Sequence, residues 1–154
     1  MTPRIHLRGA RASDGEAILA WRNDPATRAV SFAQEEIPPS THARWFARRL
    51  GDPECLFLVV EEDGAPVGQV RLERLASGLA EVNVGLAPEA RGRGIGRQAL
   101  QLAAAEARER LGIETLRALV RKENEASLRA FRAAGFSDYG VDGDVVELRR
   151  PTAR

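Results

Sequence analysis

Apolar and polar positions along the chain alternate first with a period of two, then with a period near 3.6, and the switches mark out its elements. "RIHLRGA" alternates and predicts a first strand. "SDGEAILAWRND" has helical spacing, with Ser13 at the N-cap and Glu16 three residues on in a capping-box arrangement; Asp24-Pro25 breaks it. "THARWFARRL" predicts a second helix, closed by Gly51 and Pro53. Three strand-like segments follow, "CLFLVVEED", "APVGQVRLERL" and "LAEVNVGLAP". Their turns carry Asp63-Gly64 and Ser77-Gly78, which predicts an antiparallel meander. Over residues 95 to 111 the period lengthens: Leu100, Ala103, Ala107 and Leu111 share a helical face, and Gly112 stops it. "TLRALV" reads as a strand, "EASLRAFRAAG" as a helix, and "FSDYGV" with "DVVELRR" as a closing hairpin. Strand, two helices, three strands, helix, strand, helix, two strands is the order of a mixed α/β sheet with helices on its faces.

Composition narrows this picture in four ways. A length of 154 residues predicts a single domain spanning 1-154, and 44% hydrophobic with 29% charged residues is the balance of a globular chain with a core. No apolar run approaches the length a membrane helix needs, and "MTPRIHLRGA" lacks a signal-peptide core, so a cytoplasmic location with no membrane partner is expected. Cys55 is alone, which excludes an internal disulfide and a cysteine-based metal cage; no metal is expected. A net charge of +1 does not imply a nucleic-acid surface, so any affinity for anions must be local.

The local candidate is "EARGRGIGRQAL", between the end of a strand at Leu86 and the start of a helix near Ile95. A helix N-terminus presents unpaired N–H groups and partial positive charge, which suit a phosphate. Gly92, Gly94 and Gly96 keep side chains out of the way, and Arg91, Arg93 and Arg97 add charge. Arg97 stands where a dinucleotide fingerprint needs its third glycine, and the Gly-Lys-Ser/Thr of a P-loop is absent. A surface turn whose glycines serve only chain geometry is the other reading of the same residues.

"RGRGIG" fits R-x-x-G-x-G and resembles the acetyl-CoA pyrophosphate motif of the GNAT N-acetyltransferases. The strand ending in "VGLAP" before it and "NEASLRAFRAAGF" after it resemble that superfamily in order and spacing, over about Leu56 to Arg150. The resemblance implies a GNAT fold: a mostly antiparallel central sheet, helices on both faces, and a splayed strand pair that takes acetyl-CoA. It implies that Val84, Gly85 and Leu86 pair with the pantetheine amides, and that the backbone from Arg91 and Gly92 through Arg93, Gly94 and Ile95 to Gly96 holds the pyrophosphate. Asn124, with Ser127 one turn along, would reach the pantetheine arm; Asn124 also suits a plain helix N-cap. Phe131 stands where many relatives carry the tyrosine that protonates the leaving thiolate, and Phe has no proton to give. Tyr139 and Ser127 are the nearest hydroxyls by sequence, and the general acid stays unassigned.

A neutral amine must attack the thioester, so a base is needed. Glu73, Glu81 and Asn83 lie on strands bordering the expected cleft; Glu81 and Asn83 share a face, and Glu81 is favoured, directly or through water. The acceptor side falls to the N-terminal third. There "WRNDPATRAVSF…EEI…H…WF" resembles the UDP-amino-sugar N-acetyltransferases of the pseudaminic-acid pathway. That resemblance places Arg22 and His42 at the nucleotide end of the acceptor. Read from the residues alone, Arg22 is solvated, His42 is a surface residue, and Trp21, Trp45 and Phe46 are core anchors. The expectation is direct transfer from acetyl-CoA to a primary amine, without a covalent enzyme intermediate. The acceptor is a small molecule, a nucleotide-linked amino sugar before a peptide or ribosomal-protein N-terminus; a non-catalytic acyl-CoA sensor is the third reading. A homodimer is compatible with the sequence, which carries no pattern that reports one.

Overall fold

The computed structural model describes residues 4–153. Seven strands form one sheet in the order β1-β2-β3-β4-β5-β7-β6: β1 Ile5–Gly9, β2 Cys55–Glu62, β3 Ala65–Ala76, β4 Leu79–Leu86, β5 Thr115–Arg121, β6 Ser137–Asp142 and β7 Val145–Pro151. All neighbours are antiparallel except β4 and β5, which α4 (Ile95–Leu111) joins as a parallel crossover. α5 (Glu125–Ala133) packs beside α4 on one face, while α1 (Gly15–Asn23) and α3 (Pro39–Leu50) cover β2 and β3 on the other. This is the mixed α/β architecture that the sequence pattern predicts.

The two faces of β2 to β4 are separate packing problems. On one, Leu58, Val60, Val70, Leu72, Ala80 and Val82 meet α4, whose inward residues are Ala99, Leu100, Ala103, Ala104 and Ala107. Small side chains there bring helix and sheet close together. On the other face Ile18 of α1, Phe46 of α3 and Phe57 of β2 form a smaller core flanked by Trp21, Trp45 and Leu50. Phe57 is edge-on to both Phe46 and Trp45, at ring separations of 5.0 and 5.9 Å.

The N-terminal third departs from the sequence reading in two places. Ser13 and Glu16 form no capping box; both are exposed, and the reciprocal partner is Asp14, whose carboxylate accepts from the Arg11 N–H at 2.7 Å. Arg8 holds that carboxylate from β1 through two bonds of 2.9 Å, so the turn is fixed by an arginine rather than by a hydroxyl. Beyond Asp24 the chain does not leave helix. Pro25 opens a six-residue helix α2 (Pro25–Val30), a position proline suits because the first helical N–H has no partner anyway. Asn23 then clips the following loop to the end of α1, with its amide donating to Ile37 O at 2.9 Å and accepting from Ile37 N at 2.8 Å. Among the described residues no helix is long and apolar enough to cross a membrane.

The sheet itself opens in the middle. β4 is registered to β3 from Leu79 to Leu86, but to β5 only from Leu79 to Glu81. β5 continues to Arg121 alongside β7 instead. From Val82 to Leu86 the β5-facing side of β4 has no strand beside it, and α4 starts in front of that opening. The close approach of β3 on the other side depends on Gly68. A Cβ there would lie 2.6 Å from Gly85 O and 2.7 Å from Leu86 Cδ2. Gly68→Ala is expected to destabilise the protein by about 2 kcal/mol, lowering Tm by roughly 5 °C, as a thermal melt would read.

Candidate functional site

The loop before α4 has the backbone of an anion cradle. Gly92 and Gly94 sit at φ 73° and 78°, in the left-handed region, with open space where a Cβ would be. Gly94 is the N-cap of α4, so no side chain caps the helix and no acidic residue lies in its first turn. The first N–H groups of a 17-residue helix are therefore open, at the positive end of its dipole. Gly96 has a different job: it is buried, facing Ala130 of α5 and Leu86 of β4 at ordinary contact distance.

The three arginines do not share one task. Arg93 reaches β2, where Glu62 accepts from both of its terminal nitrogens at 2.8 and 2.9 Å. Arg91 turns toward Asp24, Thr27 and the Leu86 carbonyl. Arg97 is exposed, with no ion pair among the described residues. Across the opening, Asn124 caps α5, its side-chain oxygen accepting from Ser127 N at 3.2 Å. Phe131, on the same helix, is 3% exposed, edge-on to Phe136 at 5.0 Å. Tyr139 is 64% exposed on β6, three strands from β4 and so at least roughly 14 Å away, with Arg149 over its ring.

A glycine loop leading into an uncapped helix, facing a strand that has lost its parallel partner, is the donor-binding architecture that the motif resemblance implies. Residues 4–137 match the family model described as an acetyltransferase (GNAT) domain. The chain belongs to the GNAT acetyltransferase family.

Its relatives agree on the chemistry and differ in the acceptor. The "Putative phosphinothricin acetyltransferase YwnH" of Bacillus subtilis (strain 168) is 29% identical over 148 residues, 92% of this chain and 90% of that one. A phosphinothricin acetyltransferase from Sinorhizobium meliloti in complex with acetyl-CoA superposes with TM-score 0.80 at 24% identity, over 98% of this chain and 89% of that one. The spermidine N-acetyltransferase from Vibrio cholerae, in complex with CoA and spermine, superposes with TM-score 0.83 at 20% identity, over 97% and 96%. This GNAT chain is accordingly an acetyl-CoA-dependent N-acetyltransferase.

On its other face the GNAT sheet shows a polar stripe under α1 and α3. Gln69, Arg71 and Glu73 of β3 alternate with buried Val70 and Leu72 and stand opposite Gly85, Asn83 and Glu81 of β4. Glu73, Glu81 and Asn83, the candidates named from the sequence, share this stripe with Gln69 and Arg71, which were not among them. The signal was present as polar residues at every second position of a strand. The carboxylates on this stripe are already engaged: Glu81 with Arg117 at 2.8 Å, Glu73 with Arg71 at 3.0 Å and Arg49 at 3.1 Å. Asn83 accepts from Gln69 at 2.9 Å through its carbonyl, which turns its NH2 outward as a donor. The Cys55 thiol, burdened by burial and by the nearby Glu73 carboxylate, is pushed up to about 11 and stays protonated at neutral pH.

Arg22 and His42 lie close together, but in different settings. Arg22 extends its guanidinium over the Trp45 ring at 4.6 Å, and Arg71 approaches the same ring at 5.0 Å. Burial, then the neighbouring Arg71 charge, pulls the Arg22 pKa down from the ordinary arginine value, and no carboxylate offsets them. His42 is not a surface residue. It is 2% exposed against Trp45 and Phe46, with an Nε2 that meets no partner. It supports the Trp45 ring from inside rather than facing an open surface. Burial and the Arg22 charge both depress its pKa, so the folded protein holds it neutral. The unfolded chain binds a proton near pH ~6.5, so stability must fall as pH drops through that value toward the lower folded pKa. His42→Phe should flatten the loss of Tm between pH 7 and 5.5 relative to wild type, in melts at matched ionic strength.

Proposed function

We propose that this acetyltransferase modifies the amine of a small acceptor that also carries an oxyanion, and that Arg22 binds the anion. The observation that carries this reading is the electrostatic imbalance around Trp45. Three arginines meet on that ring; Glu73 lies beside Arg71 and Arg49, and among the described residues Arg22 alone of the three has no carboxylate partner. A desolvated, unpaired guanidinium is costly until an anion arrives. A diphosphate-linked amino sugar supplies one, and remains the preferred acceptor. Phosphinothricin, named for the Bacillus subtilis relative, supplies one as well, since it bears a carboxylate and a phosphinate beside its amine. A polyamine would bring further positive charge to the same place.

In this reading the donor lies in the opening of the sheet. The diphosphate takes the N–H groups of Arg91 to Gly96, with exposed Arg97 free to swing toward it and Arg93 able to follow by leaving Glu62. The pantetheine amides extend the unpaired edge at Val84, Gly85 and Leu86, near Asn124 and Ser127. The thioester carbon receives the amine lone pair as the C–S bond breaks. Glu81 is the last β4 residue registered to β5, where the opening begins. It takes the amine proton through water, with Arg117 holding it in place. Asn83 directs N–H donors at the reacting groups. Phe131 contributes packing, and the thiolate takes its proton from solvent, as a thiol with a pKa near ~8.5 permits. Fixing the two reactants in one cleft supplies most of the acceleration, worth up to ~7–11 kcal/mol.

Two substitutions separate the halves of the site. Gly94→Asp places a negative charge at the diphosphate position and should weaken CoA by at least roughly tenfold, while a pantetheine fragment without the diphosphate binds as before in calorimetry. Equal losses for both ligands would refute the loop's role. Arg22→Ala removes one charge-assisted hydrogen bond, worth ~1.5–3 kcal/mol, so the acceptor KM should rise roughly ten- to a hundredfold with CoA affinity unchanged. An unchanged KM for every anion-bearing acceptor would refute the anion reading.

A further inference from the structure

The first arginine of the loop faces away from the helix it precedes. We propose that Arg91 is a positioning residue for the acceptor side, tying the donor loop to the junction of α1 and α2, and that its side chain is not a diphosphate ligand. This rests on the reading that the acceptor is held at the end of α1, beside Arg22.

Both terminal nitrogens of Arg91 reach Asp24 Oδ2 at 3.4 Å, and one of them also donates to the Thr27 hydroxyl and, at 3.4 Å, to Leu86 O. The same Asp24 oxygen caps α2, accepting from Thr27 N at 3.2 Å. One guanidinium therefore joins the open end of β4, the glycine loop and the N-terminus of α2. Each of these needs the tie. α2 has six residues, far too few to be stable without tertiary contacts. Leu86 lies on the stretch of β4 that has no β5 partner. Asp24 is two residues from Arg22, so whatever fixes Asp24 also fixes where α1 ends and where the Arg22 side chain starts.

The other loop arginines show the contrast. Arg93 and Arg97 are on the solvent side, and neither touches α1 or α2. A ligand at the α4 N-terminus can recruit them without disturbing the acceptor side. Recruiting Arg91 would instead cut the cap of α2 from its cation.

The test compares Arg91→Ala, Asp24→Asn and the double variant in the full chain. Asn retains the capping oxygen, so α2 keeps its N-cap while the charge is lost. Hydrogen exchange over residues 25–30 should quicken by about fivefold in each single variant, and the double variant should be no worse than the poorer single one. CoA affinity by calorimetry should stay within about threefold of wild type in all three. With phosphinothricin and a UDP-linked 4-amino sugar as probe acceptors, KM should rise about fivefold while kcat holds within about twofold. Failure of both probes to turn over would count against the anion reading alone, because exchange and CoA affinity still judge the tie. The proposal is overturned if Arg91→Ala weakens CoA tenfold and Asp24→Asn tightens it. That pair of results would make Arg91 a phosphate ligand that Asp24 competes for. Unchanged exchange in all variants would overturn it equally.

Discussion

The three-residue length of the β4–β5 pairing is the constraint on which the rest of this structure depends. β4 cannot leave the sheet, because β3 holds it from end to end, and β5 cannot follow it, because β7 draws β5 away. A strand edge buried in the middle of a sheet without a partner would be unfavourable, since its backbone groups need hydrogen bonds. Here the edge faces an opening, and α4 begins at the mouth of it with no side chain on its first N–H groups. Unmet backbone donors on two elements thus converge on one place. Acetyl-CoA, with amides along its arm and a diphosphate at its bend, is the cosubstrate such a place can hold.

Charge arranges the other half. Under α1 and α3 the sheet carries arginines and glutamates in pairs, Arg71 with Glu73 and Arg117 with Glu81, so most of the face is locally neutral. Ion pairs of this kind contribute little to stability at partly exposed positions. Their effect is to hold side chains in fixed directions. Against that background Arg22 is the exception, desolvated over Trp45 with a second arginine as neighbour. Trp45 itself is held by His42, whose neutrality keeps a further positive charge out of the cluster.

Much of this was legible in the sequence because glycine reports backbone geometry directly. Gly94 and Gly112 both adopt left-handed conformations, at φ 78° and 63°, and they bound α4 at the residues the pattern predicts. The meander was equally plain, since its turns need the positive φ seen at Asp63, Gly64 and Gly78. What the sequence concealed were features set by partners distant in the chain. Asp14 took the capping role expected of Glu16 because Arg8 stands opposite it on β1. α2 was hidden because Pro25 reads as a breaker and opens a helix just as well. Its cap depends on Arg91, 67 positions away. His42 reads as an early-helix surface residue until α3 is laid against β2, when it becomes one of the most buried polar side chains. Gln69 and Arg71 went unnoticed because nothing local says that α1 will cover that face of β3.

An opened sheet that presents acetyl-CoA to an amine, with Arg22 holding the anion of that acceptor, makes turnover depend on the anion. The most direct test is thiol release from acetyl-CoA with acceptors that do and do not carry an anion: a 4-amino sugar with and without its nucleoside diphosphate, and phosphinothricin beside the polycation spermidine. The anion-bearing acceptor should turn over, and its anion-free counterpart should be poorer by at least roughly tenfold in kcat/KM. Efficient acetylation of spermidine or of the free amino sugar, with no gain from the anion, would contradict that dependence.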